Sequence, residues 1–198
     1  MTFIYMNQYD CIFDLDGTLL DAWQRLYTAY QHVLFSFEES PLPFLEYKQI
    51  VRFHQGHTFL LKQTNISPEI YVSEYRKIIE SEELLRLDTL YENVPETLKT
   101  LSQTNTLHLL TKRQDKERTF NQLKRLNIYA FFSSYTINSS LQKSELVPSI
   151  RLRHKETYII GDTEEDVEAG EKNGIKTIFA TYGLRDQTLF QKNYNPTT

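Results

Sequence analysis

The sequence predicts an α/β protein: a doubly wound parallel sheet with an α-helical segment inserted near its start. Three observations carry this. Short apolar runs alternate with amphipathic stretches after residue 93, the pattern of strands joined by crossover helices. Between about residues 22 and 90 the alternation stops and helical spacing takes over. The polar residues Asp14, Asp16, Thr111 and Asp162 all fall where an apolar run ends, and open parallel sheets bind ligands at the carboxyl ends of their strands.

Residues 9–15 read as a buried strand running into the turn Asp16-Gly17-Thr18. The segments AWQRLYTAYQHVLFSF and SPEIYVSEYRKIIESEELLRL carry apolar residues at helical spacing, with Ser67-Pro68 as an N-cap and first-turn pair and no strand pattern anywhere in the insert. NVPETLKTLSQ follows as a helix capped at Asn93. Then come a strand ending at Thr111, an amphipathic helix from QDKERTFNQLKRLNI, and short strands in SSYTIN and TYIIGD. A helix stopped by Gly174 and a last strand, IKTIFATYG, complete the pattern.

Composition narrows the function. The chain has 198 residues, 40% of them hydrophobic, enough for a real core. A net charge of −4 argues against general affinity for nucleic acid, whose phosphates need a basic partner. The run Arg151-Leu152-Arg153-His154-Lys155 reads as a solvated face. The single cysteine, Cys11, reads as a small buried apolar residue and fits a cytoplasmic protein. No apolar run approaches the roughly 20 residues that span a bilayer, and the first residues do not read as a signal peptide. No protein partner is evident.

The chemistry sits in two acidic clusters. Asp14 and Asp16 are two apart in extended chain and project to one side; carboxylates that close repel unless a cation or shared proton offsets them. In Gly161-Asp162-Thr163-Glu164-Glu165-Asp166, Asp162 and Asp166 share a helical face. Together the clusters form an oxygen-only donor set suited to Mg²⁺. Thr111, Lys112 and Lys143 are candidates for holding phosphate.

The ordered motifs DLDGT, LLTKR, QKS and GDTEED resemble those of the haloacid dehalogenase superfamily of phosphohydrolases, and the resemblance spans nearly the whole chain. NVPETLKTL and GIKTIFATYGL are similar to its phosphoglycolate phosphatase-like branch. The resemblance implies a catalytic core of residues 1–20 and 91–198 and an α-helical cap of residues 21–90. It implies Mg²⁺-dependent hydrolysis of a small phosphorylated metabolite, with a phosphomutase or a non-catalytic phosphate-binding regulatory module as alternatives. Asp14 would be the nucleophile that forms an aspartyl-phosphate, and Asp16 the general acid and base. Thr111 and Lys143 would hold the phosphoryl group. Asp14, the Asp16 carbonyl and Asp162 would bind the metal, with Asp166 as a further ligand or support. Arg52, His54, Gly56 and His57 in the cap are candidates for substrate selection. The chain departs from the family pattern at Lys112, where asparagine is commoner, at Ser144 after the lysine, and in a short stretch between Lys143 and Gly161, which implies a stunted helix there.

Overall fold

The computed structural model describes residues 8–54 and 58–191. Strand β1 (Tyr9–Phe13) lies at the centre of a five-stranded parallel sheet. On one side it pairs with β4 (Thr106–Thr111), which pairs with β5 (Ser134–Ile137); on the other it pairs with β6 (Glu156–Gly161), which pairs with β7 (Lys176–Phe179). The chain builds outward to β5, then crosses β1 to reach β6. Strand order therefore reverses at β1, where a crevice opens at the carboxyl edge.

Both faces are covered, as a parallel sheet requires. Alternate residues of β1 part to opposite sides. Cys11 and Phe13 join Leu107, Leu109, Val94 and Leu98 in one cluster, while Ile12 joins Leu110, Ile159, Leu146 and Ala169 in the other. The first face is covered by α5 (Val94–Leu101) and α6 (Lys116–Arg125), the second by α7 (Lys143–Leu146) and α8 (Glu164–Asn173). Cys11 is buried, and burial, followed by the Asp10 charge, pushes its thiol up to about 11. Helix α8 ends where Gly174 takes a left-handed φ of 65°.

The segment after β1 is helical. It contains α1 (Trp23–Ser36), α2 (Phe44–Phe53), α3 (Pro68–Ile78) and the single turn α4 (Glu82–Leu85). Ser67 caps α3, its hydroxyl accepting from Ile70 N at 3.3 Å. The segment has a core of its own, built from Trp23, Tyr30, Val33, Leu34, Tyr47, Leu61 and Tyr71. Much of the chain's tyrosine is spent there: the Tyr30 ring lies 5.0 Å from that of Tyr47 and 6.3 Å from that of Tyr71.

Three local expectations need correction. The insert was expected to hold no strand, yet β3 (Thr89–Leu90) pairs antiparallel with β2 (Leu20–Asp21) where the chain leaves and re-enters the core. Two-residue strands are too short to show a period of two. Asn93 stands at the start of α5 in a left-handed conformation (φ 63°), and its side chain makes no capping hydrogen bond. The first strand stops at Phe13, and Leu15 is buried beyond it. The basic run 151–155 is mostly exposed, as expected, apart from a partly covered His154. Among the described residues no helix is long and apolar enough to cross a membrane.

Candidate active site

A cavity of about 380 Å³ opens at the reversal of strand order, between the core and the inserted helices. Asp14, Asp16, Thr111 and Lys143 line it from the core; Arg25, Val72, Tyr75 and Glu80 line it from the insert. Another hollow of about 630 Å³ lies among Tyr9, Phe13, Val94, Leu98 and Tyr158 and contains none of the candidate carboxylates.

Asp14 follows β1 directly, and its backbone N–H donates to Ile160 O at 2.9 Å, extending the pairing with β6 by one residue. Asp162 leaves β6 beside it, and Asp166 sits in the first turn of α8. Carboxylate oxygens of Asp14, Asp162 and Asp166 lie within 4.8 Å of one another, and all three residues are buried. Lys143, at the start of α7, donates Nζ to Asp14 Oδ1 at 2.5 Å and to Asp166 Oδ1 at 2.7 Å. Asp162 accepts from Thr18 Oγ1 at 3.0 Å and from Leu184 N at 2.6 Å. Asp166 completes a capping box with Thr163, whose N–H and hydroxyl donate to its Oδ2.

Glycines make this crowding feasible. At Gly17, where φ is +86°, a Cβ would stand 2.2 Å from Asp162 Oδ2; at Gly161 it would stand 2.1 Å from Asp166 Cγ. A side chain at either position would displace a carboxylate.

The cluster carries surplus negative charge: three carboxylates face one lysine. Burial pushes the Asp14 carboxyl well above the usual range; Lys143 opposes this, while the Asp166 and Asp162 charges add to it. Burial likewise raises Asp162 to about 7 against the hydrogen bond from Leu184, with Asp166 contributing to the rise. Buried oxygens with unmet negative charge and no sulfur or imidazole among them fit a hard divalent cation.

Asp16 has a different setting. Arg113 donates Nε to Asp16 Oδ2 and Nη2 to Oδ1, each at 2.6 Å; Arg25 donates Nη2 to the same Oδ1 at 2.6 Å. Burial alone would raise the Asp16 carboxyl, but Arg113 and Arg25 hold it well below the usual range.

The remaining candidates occupy several places. Thr111 is buried at the end of β4 and lines the cavity. Lys112 also lines it, but its Nζ donates to Leu141 O at 2.7 Å and lies 3.7 Å from Glu165. Arg52 points to the loop after β7, donating to Gly183 O at 2.9 Å and Thr181 O at 3.3 Å. His54 stacks on Phe59 at 4.1 Å, and its carbonyl accepts from Arg185. Gly56 and His57 lie outside the described residues. The helix after Lys143 is indeed short: four residues, followed by a 3₁₀ turn, Val147–Ser149.

Sequence reasoning missed Arg25, Asp88, Arg113 and Glu80. Arg25 did leave a signal. It falls four residues before Ala29 and eight before Val33, on the buried face of α1, where a charge needs a partner.

The family model of the haloacid dehalogenase-like hydrolases matches residues 11–180. The chain belongs to that family. Within it the chain is 25% identical to a phosphoglycolate phosphatase of Aquifex aeolicus over 183 residues, 87% of this chain and 84% of that one. It is 21% identical to the pyrophosphatase PpaX of Halalkalibacterium halodurans over 196 residues, 93% and 88%. A haloacid dehalogenase-like hydrolase structure from Streptococcus pneumoniae superposes with a TM-score of 0.78 at 20% identity, covering 93% of this chain and 90% of that one. The structure of Mycobacterium tuberculosis protein tyrosine kinase A superposes with a TM-score of 0.76 at 19% identity, covering 97% of this chain and 91% of that one. The fold alone thus accommodates more than one activity. Family membership and the phosphatase relatives make this chain a haloacid dehalogenase-like phosphoric monoester hydrolase.

Proposed function

We propose that the protein is a Mg²⁺-dependent phosphatase of a small soluble phosphorylated metabolite that works through an aspartyl-phosphate on Asp14. The observation that carries this reading is the Lys143 ammonium between Asp14 and Asp166, inside a three-carboxylate cluster at the sheet's crevice.

In the first step an Asp14 carboxylate oxygen forms a bond to phosphorus as the bond to the leaving oxygen breaks. Asp16 gives that oxygen a proton. In the second step Asp16 takes a proton from water, whose oxygen attacks phosphorus and releases the Asp14 carboxylate. Splitting one displacement in two lowers each barrier. Lys143 and Thr111 hold the phosphoryl oxygens, and Lys112 stands beside them at the cavity wall. Asp14, Asp162 and Asp166 would hold the metal, together with the Asp16 backbone carbonyl. Mg²⁺, when bound, would supply the positive charge that keeps Asp14 ionised and neutralises the phosphoryl oxygens.

The arginines favour the ionised form of Asp16, the form that takes a proton from water. Donation in the first step needs Asp16 to acquire a proton, and a phosphate dianion arriving beside it favours that uptake, since like charges raise a carboxyl's proton affinity.

Residues 21–90 form a cap in this reading, and residues 1–20 and 91–198 the core. The insert's separate hydrophobic cluster and the β2–β3 ribbon at its base support the division. Arg52 and His54 would act on substrate selection through the loop after β7. The buried thiol of Cys11 accords with a reducing compartment, and the proposal places the enzyme in the cytoplasm.

The test is a panel of phosphorylated metabolites assayed for phosphate release with Mg²⁺, with chelator, and with Mg²⁺ restored. Activity that survives chelation, or that persists in Asp14→Asn, sinks the proposal.

A further inference from the structure

Asp16 is gripped by two arginines from different parts of the chain. Arg113 follows β4 in the core, whereas Arg25 belongs to α1 in the insert. Arg25 also turns its Nε to Asp88, reaching both carboxylate oxygens at 2.8 and 2.9 Å. Asp88 stands just before β3, where the chain returns to the core. It accepts in addition from Gln122 Nε2 at 2.7 Å and from Arg113 Nη2 at 3.3 Å. Arg25 Nη1 reaches Ile79 O at 3.4 Å, near the end of α3. Two arginines and two carboxylates thus close a ring across the junction of core and insert. Arg25, Arg113 and Asp88 are each 3% exposed or less. A planar guanidinium fork fixes the direction of a carboxylate as well as its distance.

We propose that Arg25 and Asp88 are positioning residues for proton transfer by Asp16, so that the seat of the inserted helices on the core sets where the Asp16 carboxylate points. This rests on the hydrolytic mechanism above. Neither residue forms a hydrogen bond or ion pair with Asp14, Lys143 or Asp162, so attack at phosphorus does not depend on them directly. Without Arg25, Asp16 is held from one side only, by Arg113, and its side chain gains freedom to rotate. Misplacing a reacting group by about 1 Å costs on the order of 10²-fold in rate.

A leaving-group series separates positioning from folding. The full chain with Mg²⁺ is assayed for kcat/KM on phosphate esters from 2,4-dinitrophenyl phosphate, whose leaving group departs without a proton, to a simple alkyl phosphate, whose leaving group needs one. Arg25→Gln should lose on the order of 10²-fold on the alkyl ester and far less on the dinitrophenyl ester. With the latter, a burst of dinitrophenolate should precede slow turnover, because the second step still needs Asp16 to deprotonate water. Arg25→Lys should recover part of the loss. The double variant Arg25→Gln/Asp88→Asn should show the same split while leaving no buried charge unpaired, which keeps the test sound if the single variant folds poorly. An equal fall across the whole series in all variants makes the ring structural and overturns the inference. A gain on the alkyl ester in Arg25→Gln also overturns it, marking Arg25 as a brake. Wild-type protein that releases no phosphate from any ester sinks the hydrolytic mechanism itself, and this shows before any variant is compared.

Discussion

Asp14 and Asp16 are two residues apart and line one cavity, yet their surroundings are electrically opposite. Around Asp14, three buried carboxylates share a single lysine. Around Asp16, two carboxylates are matched by two arginines. The first cluster has unmet negative charge, which burial turns into a raised carboxyl at Asp14; the second is balanced, and its arginines hold Asp16 ionised. The difference teaches that a short turn can divide two neighbouring carboxylates between an incomplete site, which calls for a cation, and a complete one, which holds a side chain in place.

The sharpest way to break the comparison is to neutralise each carboxylate in turn. Asp14→Asn should abolish both turnover and the trapped phosphoenzyme, a loss on the order of 10⁴- to 10⁶-fold for a removed nucleophile. Asp16→Ala should still form phosphoenzyme from a good leaving group and should accumulate it, with turnover down about 10²- to 10⁴-fold. The readouts are phosphate release and acid-quenched phosphoenzyme. Loss of the phosphoenzyme in both variants erases the division between the two aspartates.

Stability probes the balanced cluster. Asp88→Ala leaves Asp16 as the one carboxylate facing both Arg25 and Arg113, so one buried positive charge goes unmatched, and breaking such a buried pair costs about 3–5 kcal/mol. Asp88→Asn keeps the shape and some hydrogen bonds and should cost less. Urea unfolding measures both, and wild-type stability in Asp88→Ala would show that the ring holds nothing.

The incomplete cluster should respond to metal instead. Mg²⁺ at a hundredfold excess over its dissociation constant should stabilise the wild type by about 2.7 kcal/mol. Asp162→Asn should lose most of that gain, while Asp88→Asn should keep it. Thermal melts with and without Mg²⁺ decide this, and an equal Mg²⁺ gain in both variants would place the cation elsewhere.

The smallest effect comes from a third carboxylate, at the opposite end of β1. Asp10 is buried, which alone would raise its carboxyl, but hydrogen bonds from His108, His154 N and Arg153 N bring it below its ordinary value of 3.8. A lowered carboxyl stabilises the fold above its unfolded-state pKa, and that contribution disappears as pH falls through the lower folded value. Asp10→Asn should therefore be less stable than wild type at neutral pH, and the gap should close only below pH 3.8. A gap that stays constant from neutral pH to well below 3.8 would show that Asp10 acts through shape rather than charge.

Much of this molecule follows from local pattern. The apolar runs at residues 9–13, 106–111 and 156–161 became the central strands of the parallel sheet, because buried parallel strands read as continuous hydrophobic stretches, while 176–179 became an edge strand that leaves Ile178 exposed. Ser67-Pro68 and Gly174 mark helix ends because their preferences act within a turn of the chain. Asp14, Thr111, Lys143, Asp162 and Asp166 were legible as candidates because strand ends and ordered motifs are written along the chain.

What tertiary structure alone decided is which charges meet. Arg25, Asp88 and Arg113 are 63 and 25 residues apart in sequence, yet they close one ring with Asp16. Glu80 in the insert accepts from Gln114 N and Asp115 N, just before α6. Arg52, a candidate for substrate selection from sequence, and Arg185, passed over there, cross-link the end of α2 to the loop after β7. None of these contacts has a local signature. A buried charge requires a partner, but the sequence of its own helix does not say which distant residue the packing of sheet and insert will bring to it.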